Sequence, residues 1–138
     1  MSQPLLSQPQ MSEPLWMELA DALAIHEKML ALFGGLLGLR DEGLLQSALA
    51  RPQHLFAYSK PTLPELAASY AAGIVRNHPF LDGNKRTGFV LAAAFVEINH
   101  CRFGAPEVEV VERTLALAAR AIEETEYAPW LTAHTQSL

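Results

Sequence analysis

A single cysteine, Cys101, stands in a chain of 138 residues. It cannot form an internal disulfide or build a multi-cysteine zinc site, so a reducing cytoplasm is the expected compartment. Long hydrophobic runs are missing too: half the residues are hydrophobic, yet no charge-free stretch reaches the ~18 residues needed to span a membrane. The first residues show neither the basic region nor the apolar core of a signal peptide. Positive charge is not in excess. Ten basic residues against fifteen acidic ones leave a net charge of −5, which argues against specific nucleic-acid binding by the chain itself. Nothing repeats, and there is no low-complexity segment beyond the start. What remains suffices for one domain, since a chain of this length buries roughly two-thirds of its unfolded surface.

Residues 1–14 are rich in Ser, Gln and Pro and read as a disordered leader, leaving 15–138 as a single domain. Trp16-Met17 is expected to be a short extended piece. Leu19, Leu23, Ala24, Met29, Leu30 and Phe33 give Glu18–Phe33 a helical face that Gly34-Gly35 ends. His26 within it reads as structural rather than catalytic. After an apolar linker at Gly34–Leu39, Asp41 fits the N-cap of a short helix ending before Pro52. His54 and Tyr58 then fall in a connector. Thr62-Leu63-Pro64-Glu65 is a capping box with proline in the first turn. The helix it opens has Leu66, Ala67, Tyr70, Ile74 and Val75 inward.

Phe89–Ile98 is apolar almost all round, as expected of a helix at the centre of a bundle. Cys101-Arg102-Phe103 reads as a strand pairing with Trp16-Met17. Val108, Val111, Leu115, Ala118 and Ile122 form a stripe at helical spacing that reads as core. Thr125 is expected to cap a last helix that docks Trp130 and Leu131, with His134 and the tail frayed. The chain is therefore predicted to be all-α in the main, a bundle of about six helices with at most a tiny β element.

Between two apolar helical segments lies Asn77-His78-Pro79-Phe80-Leu81-Asp82-Gly83-Asn84-Lys85-Arg86-Thr87-Gly88. It opens onto the N-terminus of the second segment, where free N–H groups and the positive dipole end favour an anion. Arg76, Lys85 and Arg86 cluster here with Asp82 as the only nearby acid, a pocket suited to a small polyanion. Moving a phosphoryl or nucleotidyl group to a protein hydroxyl needs a base, charge neutralisation and a metal. His78 is the one side chain of the loop that is largely a neutral base at pH 7. Asp82 is a hard oxygen ligand suited to Mg2+. Gly83 lets a nucleotide approach the backbone. Asn84 can orient a phosphate or ribose oxygen, while Lys85, Arg86 and Arg76 supply charge. Phe80 is expected to plug the core beneath the turn. Singly, these residues have bland readings: a turn-stabilising His78–Asp82 pair, a surface bridge at Arg86, an ion pair plus cap at Arg40-Asp41. Together they point to a phosphate-handling active site.

The loop resembles the Fic-type motif His-Pro-Phe-x-x-Gly-Asn-x-Arg, and its Asp82-Gly83-Asn84-Lys85-Arg86-Thr87 variant is similar to the Doc (death-on-curing) branch. Gly38–Pro52 is typical of Doc-like chains as well, so the resemblance covers about residues 16–135. It implies a Fic-type bundle in which Gly34–Pro52 lies near the site and helps hold a target peptide. Adenylyl-transferring Fic proteins have Gly where Lys85 stands and a second Arg where Phe89 stands. Doc-like members share the lysine, and are held to bind ATP in the reversed sense and pass its γ-phosphoryl group to a threonine of elongation factor Tu. The resemblance thus implies an ATP- and Mg2+-dependent protein kinase with His78 and Lys85 as catalytic residues. It would arrest translation as the toxin of a toxin–antitoxin pair, restrained by a cognate antitoxin because the chain has no inhibitory Ser/Thr-x-x-x-Glu-Gly/Asn helix. The alternatives are an AMP transferase using the same loop and, in another class, a non-catalytic helical module that binds a partner peptide.

Overall fold

The computed structural model describes residues 12–138, so the expected leader lies outside the described residues up to position 11. Among the described residues six helices follow in order: α1 Leu19–Phe33, α2 Glu42–Tyr58, α3 Leu63–Asn77, α4 Asn84–Ile98, α5 Glu107–Ala118 and α6 Glu124–Ala133. Two three-residue strands, β1 Cys101–Phe103 and β2 Thr135–Ser137, make a small antiparallel sheet. The fold is all-α, as its periodicity predicts.

Helix α3 begins where its capping box says it should. Glu65 N–H donates to Thr62 Oγ1 at 3.2 Å, and Thr62 N–H to Glu65 Oε1 at 2.7 Å. From Pro64 to Val75 every residue except Glu65 is buried. This helix, and not α4, is the centre of the bundle. Its small side chains explain the difference: Ala67, Ala68, Ala71, Ala72 and Gly73 let α2, α4 and α6 close in on all sides. A Cβ on Gly73 would lie 3.1 Å from the Ala48 Cα of α2, and one on Gly88 would lie 2.9 Å from Val75 Cγ1. α4 is no less apolar, yet it buries only the face carrying Asn84, Thr87, Gly88, Leu91, Ala92, Phe95 and Val96.

Several expectations are corrected. α1 turns Ala22, His26 and Met29 inward, while Leu23, Ala24 and Phe33 are exposed. α2 does not stop before Pro52 but runs through it to Tyr58, so His54 and Tyr58 are helical. Pro52 is itself buried, and that packing outweighs the backbone hydrogen bond it cannot make. β1 pairs with β2, not with Trp16-Met17. Met17 N–H is taken instead by the Tyr70 hydroxyl at 2.9 Å, and Leu138 N–H continues the ladder to the His100 carbonyl at 3.0 Å. The tail after His134 is thus an edge strand rather than a frayed end. Glu123, not Thr125, caps α6, its N–H donating to Glu126 Oε1 at 3.0 Å. The Val108–Val111–Leu115 stripe is exposed, at 68%, 51% and 47%, and α5 buries Thr114 and Leu117 instead.

Two buried phenols tie the periphery to the core. Burial pushes Tyr70 up to about 12, as it does Tyr127, whose hydroxyl lies 2.9 Å from Thr114 Oγ1. In the unfolded chain a tyrosine ionises near pH 10. Each raised group therefore contributes stability that is complete below pH 10 and is lost as pH climbs through 12, by about 2–3 kcal/mol apiece. Urea unfolding at pH 8 and pH 11 is expected to show a clear fall in midpoint. Tyr70→Phe is expected to lessen that fall, and an unchanged fall would remove Tyr70 as its source.

Candidate active site

His78 ends α3 in the left-handed region, with φ 55° and ψ 53°. A residue with a Cβ is held there only when its surroundings insist, and here Arg40 insists. Its guanidinium donates from Nε to the His78 carbonyl at 2.6 Å and from Nη2 to the Asn77 carbonyl at 2.8 Å. The Pro79 carbonyl then accepts from both Arg40 N–H and Asp41 N–H, at 2.7 and 3.0 Å. Asp41 caps α2 through Leu44 N–H at 3.0 Å, as its position predicts. No ion pair joins it to Arg40 among the described residues. The chain thus anchors the turn that carries His78 from the α2 side.

From the other side the anchor is Asn84, 3% exposed at the start of α4. Its Oδ1 accepts from Phe80 N–H at 3.0 Å and its Nδ2 donates to the Phe80 carbonyl at 3.0 Å, which fixes the orientation of the amide. The second amide hydrogen points at His78 Nδ1, 3.2 Å away. An amide nitrogen only donates, so Nδ1 accepts and the neutral ring carries its proton on Nε2. Asn84 therefore organises the loop and the histidine rather than standing free to orient a phosphate or ribose oxygen.

Gly83, with φ 78°, forms the N-cap of α4 and offers no side chain to satisfy its first N–H groups. The helix has no acid in its first turn, so the dipole end is left for an anion. Lys85 and Arg86 are exposed beside it. Lys85 has no hydrogen bond or ion pair among the described residues, while the Arg86 guanidinium rests 4.2 Å over the Phe33 ring. Asp82 is exposed, with Oδ1 accepting from Gly83 N–H at 3.0 Å and Oδ2 from Leu36 N–H at 3.2 Å.

These groups share a cleft of about 560 Å³. His78, Asp82, Gly83, Asn84, Lys85 and Arg86 form its polar wall, and Met29, Phe33, Phe89, Val90, Val111 and Leu115 its apolar one. Arg76 is not part of it. Its Nη2 donates to the Ile122 carbonyl at 3.3 Å and meets Glu123 Oε1 at 3.4 Å, which ties α3 to the α5–α6 turn. Arg76 directly precedes the loop in sequence, but its side chain leaves α3 on another face. No cluster of three or more metal-ligating side chains occurs among the described residues. Asp82 fits a Mg2+ ion shared with a nucleotide, because Mg2+ takes one or two carboxylates plus phosphate oxygens, and two N–H bonds leave lone pairs free on this carboxylate.

Two contributors were not singled out from the sequence. By sequence Arg40 reads as an ion pair with Asp41 in preference to a direct catalytic role, and neither reading points to the carbonyls it holds. His26 lies behind the loop, and the signal that marks it is the buried series Ala22, His26, Met29 at helical spacing just before Gly34-Gly35.

This loop, between the end of one buried helix and the bare start of the next, is matched by a family model described as Fic/DOC family, over residues 16–96. The chain belongs to the Fic/DOC family. The matched stretch ends at the close of α4, short of residue 135, to which the motifs alone extended it. As a Fic/DOC chain it is Doc-like: it is 43% identical over 76 residues to "Toxin Doc" of Mycolicibacterium smegmatis, covering 53% of this chain and 58% of that protein. It is also 34% identical over 90 residues to "Protein kinase doc" of Escherichia phage P1, covering 64% of this chain and 71% of that protein. The chain thus spans less than two thirds of the mycobacterial relative it matches.

Proposed function

We propose that this chain, acting as one domain over 15–138, is a protein kinase of Doc type that uses ATP and Mg2+. The phosphoryl acceptor in this reading is a threonine hydroxyl of a translation factor, with elongation factor Tu the target that the resemblance implies. The observation that carries the reading is Lys85, which lines the cleft without a partner among the described residues, where AMP-transferring Fic proteins have glycine. Phe89 supports it. Where those relatives place a second arginine, this ring packs 5.5 Å from Phe103 and 6.5 Å from Trp130, centroid to centroid. A phosphate-gripping Arg there would forfeit this aromatic packing at the half-buried wall of the cleft. The relative from Escherichia phage P1 is itself named a protein kinase.

In the reaction the threonine oxygen bonds to the γ-phosphorus as the bond to the β,γ-bridging oxygen breaks. ADP leaves with that electron pair, and the hydroxyl proton passes to His78. The lone pair that receives it is on Nδ1 in the ligand-free chain, so the hydroxyl replaces the Asn84 amide there, or the ring proton first moves from Nε2 to Nδ1. Lys85, Arg86 and the α4 N-terminus neutralise charge on the transferring group. Asp82 would hold Mg2+, which when bound supplies further charge neutralisation on the phosphates.

The protein acts in the cytoplasm in this reading, and among the described residues no helix is long and apolar enough to cross a membrane. Its restraint comes from a cognate antitoxin. Exposed Phe33, Leu36, Val108, Val111 and Leu115 flank the cleft and provide a seat for a partner's amphipathic helix, which would cover His78. Incubation with Mg2+, ATP and purified elongation factor Tu is expected to add the mass of one phosphoryl group to the factor, read by intact mass. Addition of an adenylyl mass, or no change for any translation factor tried, would refute the reading.

A further inference from the structure

His26 sits 3% exposed in α1, outside the lining of the cleft. Its ring lies flat on Phe80, centroids 3.7 Å apart and planes 7° apart. Its Nε2 is 2.8 Å from the Asp82 carbonyl oxygen. A carbonyl only accepts, so Nε2 carries the proton and donates. Gly83 lies beside the same ring, where a Cβ on it would be in ordinary contact, 3.7 Å from Nε2. A leucine or phenylalanine would fill this place in the core without the cost of burying a polar ring. The imidazole instead directs its donor at one atom, the carbonyl of the residue whose carboxylate faces the cleft.

We infer that His26 is a positioning residue for the Asp82 carboxylate, an inference that rests on the proposed reading of Asp82 as the Mg2+ ligand. The bond from behind fixes the Asp82–Gly83 peptide, and with it the direction in which the side chain leaves the backbone. Gly83 N–H on Oδ1 and Leu36 N–H on Oδ2 then set the rotation of the carboxylate. A metal shared with a nucleotide meets oxygens already in place, which is how residues behind a ligand tune its affinity. Phe80 takes part by stacking: it carries the His26 ring on one face and is held by Asn84 through its backbone.

The test is calorimetric titration of nucleotide into the full chain, once with ATP and Mg2+ and once with ATP and EDTA. The set comprises wild type, Asp82→Asn, His26→Phe and His26→Gln. His26→Phe keeps the stack and removes the donor. It is expected to weaken binding of Mg2+-ATP about 10-fold while leaving metal-free ATP binding as in the wild type. His26→Gln, which returns an N–H near the same place, is expected to recover most of the loss. Wild-type Mg2+ dependence in His26→Phe, or an equal weakening with and without Mg2+, would overturn the inference while the metal reading stands. Undiminished Mg2+ dependence in Asp82→Asn would remove both. Should the position-26 variants fail to fold, the wild type still decides the matter. The 15N resonance of His26 Nε2 is expected to move on addition of Mg2+-ATP and to stay put with ATP and EDTA. A resonance that ignores Mg2+ would refute the positioning role.

Discussion

His78→Ala is expected to lose phosphoryl transfer by about 10²–10⁴-fold, the usual contribution of a general base, while keeping its fold. The fold survives because the side chain is exposed and has one partner, the Asn84 amide at 3.2 Å. The contacts that shape the turn belong to the backbone. His78 N–H reaches the Ile74 carbonyl at 3.1 Å, and its own carbonyl is held by Arg40, so both bonds outlast the substitution. Nucleotide affinity is expected to change little, since Lys85, Arg86 and the α4 N-terminus are untouched. Single-turnover transfer with saturating nucleotide, paired with a melting curve, separates these claims. A variant that melts like the wild type and retains more than about a tenth of its rate would remove His78 as the base.

Asn84→Ala is expected to damage both fold and function. Phe80 is fully buried, and Asn84 satisfies both its N–H and its carbonyl. Truncation strands the two groups, at about 1–3 kcal/mol each, and frees the imidazole of His78. A stability loss of roughly 2–6 kcal/mol follows, a melting shift on the order of 10 °C or more in a domain of this size. Asn84→Asp is the informative partner. It still accepts from Phe80 N–H but places an anionic oxygen against the Phe80 carbonyl. It should therefore also destabilise, and should do so less as the carboxyl is protonated at low pH. Melting curves for both variants across pH 4–8 check this, and a neutral Asn84→Ala would mean that the amide is not what closes the loop.

How much of this was legible in the sequence depended on whether a signal was local. The Thr62-Leu63-Pro64-Glu65 box and the Asp41 cap act within one turn of chain, and each appears where the residues placed it. The loop that gathers His78, Asp82, Lys85 and Arg86 is equally local, because short spacing leaves those side chains little choice but one cleft. What failed depended on which neighbour arrives. Val108, Val111 and Leu115 do share a face of α5, but periodicity cannot say whether anything covers that face. α3 outranks α4 as the central helix because alanine and glycine admit neighbours closely, a property that hydropathy does not register. Arg76 sits two residues before His78 yet bonds to Ile122 and Glu123, since a helix carries successive side chains round its axis. Arg40 and His26 act on backbone carbonyls that lie 38 and 56 residues further along the chain. No spacing rule connects such pairs.

The central claim is that the terminal phosphoryl group, and not the nucleotidyl group, leaves ATP in this cleft. The direct measurement supplies target protein, Mg2+ and ATP labelled at either the α- or the γ-phosphorus, then follows label on the target and the nucleotide product. Label is expected from γ-labelled ATP alone, with ADP accumulating, and transfer by Lys85→Gly is expected to be weaker because a charge-neutralising cation is lost. Label from α-labelled ATP on the target, with pyrophosphate as the product, would contradict the claim and establish the chain as an AMP transferase.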